Sequence, residues 1–206
     1  MTRRLLPTAL LLVALTGCLG KLTSSTPPRY YDVNTPFAPA GCAHPSKRSL
    51  TVWNFTASAP YDREQMIILD PKGEVRFSSE YRWVSLPGAL LADQLLRDLS
   101  REGLFTKVVS PGDPFSATTH LGGHVFRFAL EQSERTSRAV LEAEITVWED
   151  RPERSLAERR ILFGKTYRFE SEPTEDADAA FLARSMGGLV QKLSRQLRED
   201  LCLTQP

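Results

Sequence analysis

The sequence predicts an α+β fold: a mixed, mostly antiparallel sheet with two amphipathic helices packed on one face. Several short segments between Leu50 and Phe169 alternate apolar and polar residues, the period of a half-buried strand. Two other segments, after Pro87 and after Ala179, repeat apolar residues every three or four positions, the period of a helix with one apolar stripe. Strands come in runs rather than alternating one by one with helices, which favours segregated helices on a sheet face over a doubly wound parallel sheet.

Leu50-Thr51-Val52-Trp53-Asn54-Phe55 opens the sheet with alternating β-branched and aromatic content. Met66 to Leu69, the turn Asp70-Pro71-Lys72-Gly73 and Val75 to Phe77 predict a hairpin, because proline presets the turn and glycine supplies positive φ. The first helix starts at Ser85-Leu86-Pro87, carries Leu91, Leu95, Asp98, Leu99 and Glu102 on one face, and stops at Gly103. A brief strand over Phe105 to Val109 precedes three longer alternating segments, His120 to Leu130, Ala139 to Trp148 and Ile161 to Phe169. Polar turns separate these three, so they predict an antiparallel meander. From Ala179 to Leu201, the stripe Leu182, Met186, Leu189, Leu193, Leu197 and Leu201 predicts one long helix, with Glu175, Asp176 and Asp178 at its positive end.

The 206 residues hold 41% hydrophobic and 25% charged side chains, a globular composition with room for one core. The formal charge of +1 leaves no basic footprint for nucleic acid. Ahead of the domain, Arg3 and Arg4 followed by an apolar run from Leu5 to Leu15 read as a secretory leader, too short to span a bilayer. That run closes on Leu15-Thr16-Gly17-Cys18, which resembles the lipobox of a bacterial lipoprotein precursor. Cys18 would take the diacylglycerol and become the first mature residue, bearing two or three acyl chains of the palmitate kind, enough for stable attachment. Loss of Arg3 and Arg4 with the leader turns the +1 into −1. Leu19, where aspartate would retain the protein at the inner membrane, favours the outer membrane, facing the periplasm. The expected organisation is a leader over 1–17, a lipidated Pro/Ser-rich tether over 18–46 and a domain over 47–204, with Tyr30-Tyr31-Asp32-Val33 docking as an edge strand.

With Cys18 committed to lipid, Cys42 and Cys202 remain, in a compartment where disulfides persist. They are expected to pair; two separate buried thiols are the alternative.

No pattern supports catalysis. His120 and His124 lie on a strand, about 13 Å apart at roughly 3.3 Å per residue, too far to share a metal, and read as partly exposed strand histidines. Gly122-Gly123 lacks the lysine and helix of a phosphate loop and reads as a bulge or a close-packing site. Glu142 and Glu144 alternate with Leu141, Ala143, Ile145 and Val147, the mark of a solvated face rather than an acid/base pair. No catalytic residue, metal site or cofactor is expected. Tyr81 and Trp83, flanking Arg82, share one side of a strand; they either dock a partner or lipid, or belong to the core.

Taken in order, the lipobox at Cys18, Pro27-Pro28-Arg29-Tyr30-Tyr31, the Leu50 strand, Tyr61-Asp62-Arg63-Glu64-Gln65-Met66-Ile67, Tyr81-Arg82-Trp83 before the Pro87 helix, the meander and the Phe181 to Leu201 helix resemble the ABC-type transport auxiliary lipoprotein family, the PqiC-like partners of MCE lipid-transport systems. The resemblance implies a non-enzymatic component working with an MCE-domain protein, an inner-membrane permease and an ATPase to move phospholipid or another hydrophobic molecule. A homo-oligomer is compatible with that role. A lipoprotein that assembles an outer-membrane β-barrel is the competing reading, and a lipid-anchored hydrolase a third.

Overall fold

The long strands of the meander form the spine on which everything else is placed. The computed structural model describes residues 27–33, 35–37, 42, 45–115, 117–150 and 159–204. The leader, Cys18 and Leu19 lie outside the described residues. In chain order the strands are β1 (Arg29–Tyr31), β2 (Ser49–Val52), β3 (Thr56–Ala57), β4 (Gln65–Leu69) and β5 (Val75–Trp83). Helix α1 (Pro87–Glu102) follows, then β6 (Lys107–Val109), β7 (Thr119–Gln132), β8 (Ser137–Glu149), β9 (Arg160–Glu170) and α2 (Ala179–Thr204).

Along one edge of β7, β8 pairs antiparallel over its full length, and β9 pairs antiparallel with β8, which is the expected meander. The other edge of β7 is shared. Its first half takes β2 and β3, and its second half takes β4, all parallel to it. From β2 the sheet continues to β6, and from β4 through the antiparallel hairpin to β5 and β1. The sheet is therefore mixed. Period-2 patterning places residues on faces without choosing neighbours, so these parallel pairings were not visible in it. Between β2 and β6 the chain passes through β3, β4, β5 and then α1, a long connection such as a parallel pair needs.

Both helices cover one face. Leu141, Ala143, Ile145 and Val147 of β8 point into that layer and are fully buried. The α2 stripe from Leu182 to Leu201 meets them, each of its six residues at most 2% exposed. Pro87, without an N–H to satisfy, begins α1, and Gly103 at φ 72° ends it in the left-handed conformation that glycine adopts without strain. At the start of α2, the Asp178 carboxylate accepts the N–H of Phe181 at 2.6 Å, capping the helix at its positive end.

The polar members of the α1 stripe have partners on α2. Ser194 donates to Asp98 at 2.5 Å, Gln94 donates to the other Asp98 oxygen at 3.0 Å, and Arg198 pairs with Glu102. Asp98 and Arg198 are each 2% exposed, so this is a polar seam inside the helix layer.

The described part of the proline-rich segment lies against the domain. β1 pairs parallel with β5, and Val33 is buried. Thr35 donates its N–H to Gln94 at 3.3 Å, Gln191 donates to the Pro36 carbonyl at 3.0 Å, and the Arg198 guanidinium lies 5.1 Å from the Phe37 ring. Beyond these, Cys42 is bonded to Cys202. The segment thus follows α2 towards its last turn and is covalently fastened there.

Candidate functional site

Of the two aromatic residues singled out on the strand before α1, only one reaches a surface. β5 continues past the expected end at Phe77 to Trp83, with β1 laid along its edge. Trp83 is 1% exposed and packs edge-on against Phe128, ring centroids 5.1 Å apart. It is a core residue, not a contact for a partner or lipid, because β1 and the helix layer close over that face. Tyr81, two residues away on the same face, is half-buried, meets Tyr31 edge-on at 6.1 Å, and walls a groove of about 320 Å³ with Met66, Ile68, Leu130 and Leu182. The groove lies where the hairpin meets the start of α2.

The opposite face of the same corner is exposed. Alternation along β1 and β5 sends Tyr30, Arg82 and Val84 away from the helices, and Tyr30 is registered with Arg82. Gln65 opposes Arg82 and Ile67 opposes Phe77, so Phe77 shares this face, with the Arg63 guanidinium 4.2 Å from its ring. Tyr30 is 53% exposed, Val84 48% and Phe77 42%. The Nε atoms of Arg63 and Arg82 are buried without a hydrogen-bond partner. Sequence reasoning placed Tyr30, Arg63, Phe77 and Arg82 in strands or in the resemblance and gave none of them a surface role; the available signal was an aromatic residue and an arginine at outward positions of strands whose inward positions are apolar.

A second groove, of about 440 Å³, lies on the helix-free face between β2 and β8. Its floor is Gly122, where an added Cβ would come within 3.1 Å of the Trp148 ring. Trp53 donates to His120 Nδ1 at 3.1 Å, and His120 Nε2 is 3.1 Å from Asp150, which fixes Nε2 as the protonated nitrogen. His120 stacks on Trp148 at 5.5 Å. It is 8% exposed, more buried than an ordinary strand histidine on an open face, because the two tryptophans enclose it. Burial holds its pKa below the usual histidine range against the opposing charge of Asp150, while Arg159 lowers it further. His124 is held separately, by Thr56 at 2.7 Å and Ser58 at 2.6 Å. No cluster of three potential metal ligands occurs among the described residues.

The glycine pair serves close packing: a Cβ on Gly123 would come within 2.4 Å of the Glu144 carbonyl and 2.6 Å of the Phe55 ring. The bulge lies further on, between Val125 and Arg127. Glu142 accepts from Arg168 at 2.7 Å, and Arg168 also reaches Glu170 at 2.8 Å. The bond from Arg168 holds the Glu170 carboxyl below its ordinary range. Glu142 sits in this ion-paired surface lattice and Glu144 is exposed, as a solvated strand face requires.

No helix among the described residues is long and apolar enough to cross a membrane. Residues 31–198 match the sequence profile described as ABC-type transport auxiliary lipoprotein component. No curated protein matches significantly. Among solved structures, a protein from Xanthomonas campestris superposes with a TM-score of 0.71 at 17% identity, covering 85% of this chain and 96% of that one. An uncharacterized protein superposes with a TM-score of 0.62 at 12% identity, covering 85% and 99%. At these identities the likeness is one of fold.

Proposed function

The chain belongs to the ABC-type transport auxiliary lipoprotein family, and from that premise we propose that it is the lipid-anchored accessory component of an ABC/MCE-type lipid-transport system. In this reading Cys18 carries the anchor, the outer membrane holds it, and the domain faces the periplasm. It acts without catalysis, docking an MCE-domain protein whose permease and ATPase lie at the inner membrane, with phospholipid as cargo. The observation that carries the reading is the family match over residues 31–198, joined to the lipobox upstream of it.

Physical chemistry supports a docking part at the far end of such a path. Each CH₂ of a lipid chain moved into water costs about 0.8 kcal/mol, so a chain crossing the periplasm needs a continuous shielded route. A module bound at one membrane can hold that route in place. The contacts along α2 and the bond from Cys42 to Cys202 support a domain whose described N-terminal segment is fastened to its own surface.

The test is in-cell crosslinking of the mature lipoprotein, affinity purification and mass spectrometry. Recovery of an MCE-domain protein with its permease and ATPase is expected. Recovery of an outer-membrane β-barrel in their place would replace this reading with that of an assembly lipoprotein. Cys18→Ser should leave the precursor unprocessed or release the protein from the membrane fraction; attachment that persists would refute the anchor.

A further inference from the structure

The outward face at the β1–β5 corner carries two arginines, Arg63 and Arg82, that no acidic side chain among the described residues neutralises. Among the described residues no carboxylate pairs with Arg63 or Arg82 and no hydrogen bond satisfies either guanidinium, although both side chains are half-buried and both Nε atoms are shielded from water. On the other strands, Arg127, Arg138 and Arg168 each have an acidic partner, and Arg29, Arg76 and Arg160, which have none among the described residues, are exposed. A half-buried guanidinium left unpaired is a site for an external anion, and its planar fork suits phosphate.

Around this pair stand Tyr30, Phe77 and Val84, all exposed. Two aromatic rings, one of them amphipathic, and an aliphatic side chain beside arginines make up a surface suited to a membrane interface, apolar groups among the acyl chains and cations at the phosphates. The path of the chain identifies the occupant. Cys18 is nine residues before Pro27, and nine residues fully extended reach about 30 Å. β1 begins at Arg29, so the corner carrying this face is the part of the domain that the chain enters first from the anchor.

We propose that Tyr30, Phe77 and Val84 with the guanidinium groups of Arg63 and Arg82 form a membrane-docking face, which lies on the bilayer holding the anchor and binds lipid headgroup phosphate. The proposal rests on Cys18 being the lipidated residue. It adds an orientation: the open sheet face at this corner turns to the membrane, and the far edge at β9 turns away from it.

The test uses the mature acylated protein in phosphatidylethanolamine/phosphatidylglycerol vesicles. With Cys18 acylated and Cys42 bonded to Cys202, Val84→Cys supplies the single free thiol for a nitroxide label, and Ile161→Cys, 60% exposed on β9, supplies the comparison. The label at 84 should be shielded from an aqueous nickel chelate and open to oxygen, while the label at 161 should stay accessible to nickel. Arg63→Gln with Arg82→Gln, or vesicles of phosphate-free glycolipid with the arginines intact, should return the label at 84 to the accessibility seen at 161, the protein still floating with the vesicles. Protein that does not float overturns the anchor and this face with it. Protein that floats while the label at 84 matches 161 in phospholipid overturns the face alone. Shielding at 84 that survives both the arginine changes and the glycolipid overturns the phosphate site.

Discussion

Neutralising Glu102 should destabilise the domain more than almost any other single polar change. Its carboxylate and the Arg198 guanidinium pair with side chains only 3% and 1% exposed. Glu102→Gln keeps the shape and an acceptor oxygen but removes a negative charge from beside the buried Arg198 guanidinium. Removing one partner of a buried pair costs about 3–5 kcal/mol. Arg198 keeps its bond to the Ser194 carbonyl at 3.1 Å and its place over the Phe37 ring, which points to the lower end, about 3 kcal/mol. With urea dependences of about 1–3 kcal/mol per molar, the unfolding midpoint should fall by about 1–3 M. The assay is urea unfolding with the disulfide intact, followed by tryptophan fluorescence and far-ultraviolet circular dichroism. Glu102→Leu combined with Arg198→Met replaces both charges with apolar volume and should return the unfolding free energy to within about 1 kcal/mol of wild type. A Glu102→Gln unfolding free energy within about 0.5 kcal/mol of wild type would refute the reasoning, as would a double variant whose loss equals the sum of the single ones.

Replacing Cys42 and Cys202 together by serine opens a loop of 160 residues, worth about 5 kcal/mol in the chain-entropy model; a midpoint unchanged in urea would show that the segment along α2 holds the chain without the bond. Gly123→Ala should cost about 1–3 kcal/mol, because its methyl would meet the Glu144 carbonyl and the Phe55 ring, whereas Gly164→Ala, with nothing within 4 Å, should be nearly neutral; equal melting temperatures would contradict this packing. His120 has a folded-state pKa below its unfolded 6.5, so it contributes stability above that pH that is lost as pH falls through the folded value. The melting temperature should therefore decline on acidification from pH 7.5, and His120→Asn should flatten that decline; an unaltered slope would place the titrating group elsewhere.

Much of the architecture was legible in the sequence because it rests on local periodicity. The stripe from Leu182 to Leu201 predicts α2 and names the residues it buries, and the proline and glycine bounding α1 fix both its ends within a residue. The meander follows from period-2 alternation with polar turns between. Asp98 and Glu102 could be placed on the inward face of α1 by the same spacing, yet their partners Ser194 and Arg198 could not, since nothing in the spacing of one helix states which residues of the other it meets.

The sequence by itself determined the helices, the hairpin and the meander, and it left Cys42 and Cys202 either as a pair or as two separate thiols. Only the tertiary structure decided that β2, β3 and β4 share one edge of β7, that Trp83 is core while Tyr81 opens onto a groove, and that Arg63 and Arg82 face outward with no acidic partner among the described residues. The reason is physical: periodicity records which side of an element avoids water, whereas pairing, charge compensation and exposure depend on residues brought together from distant parts of the chain.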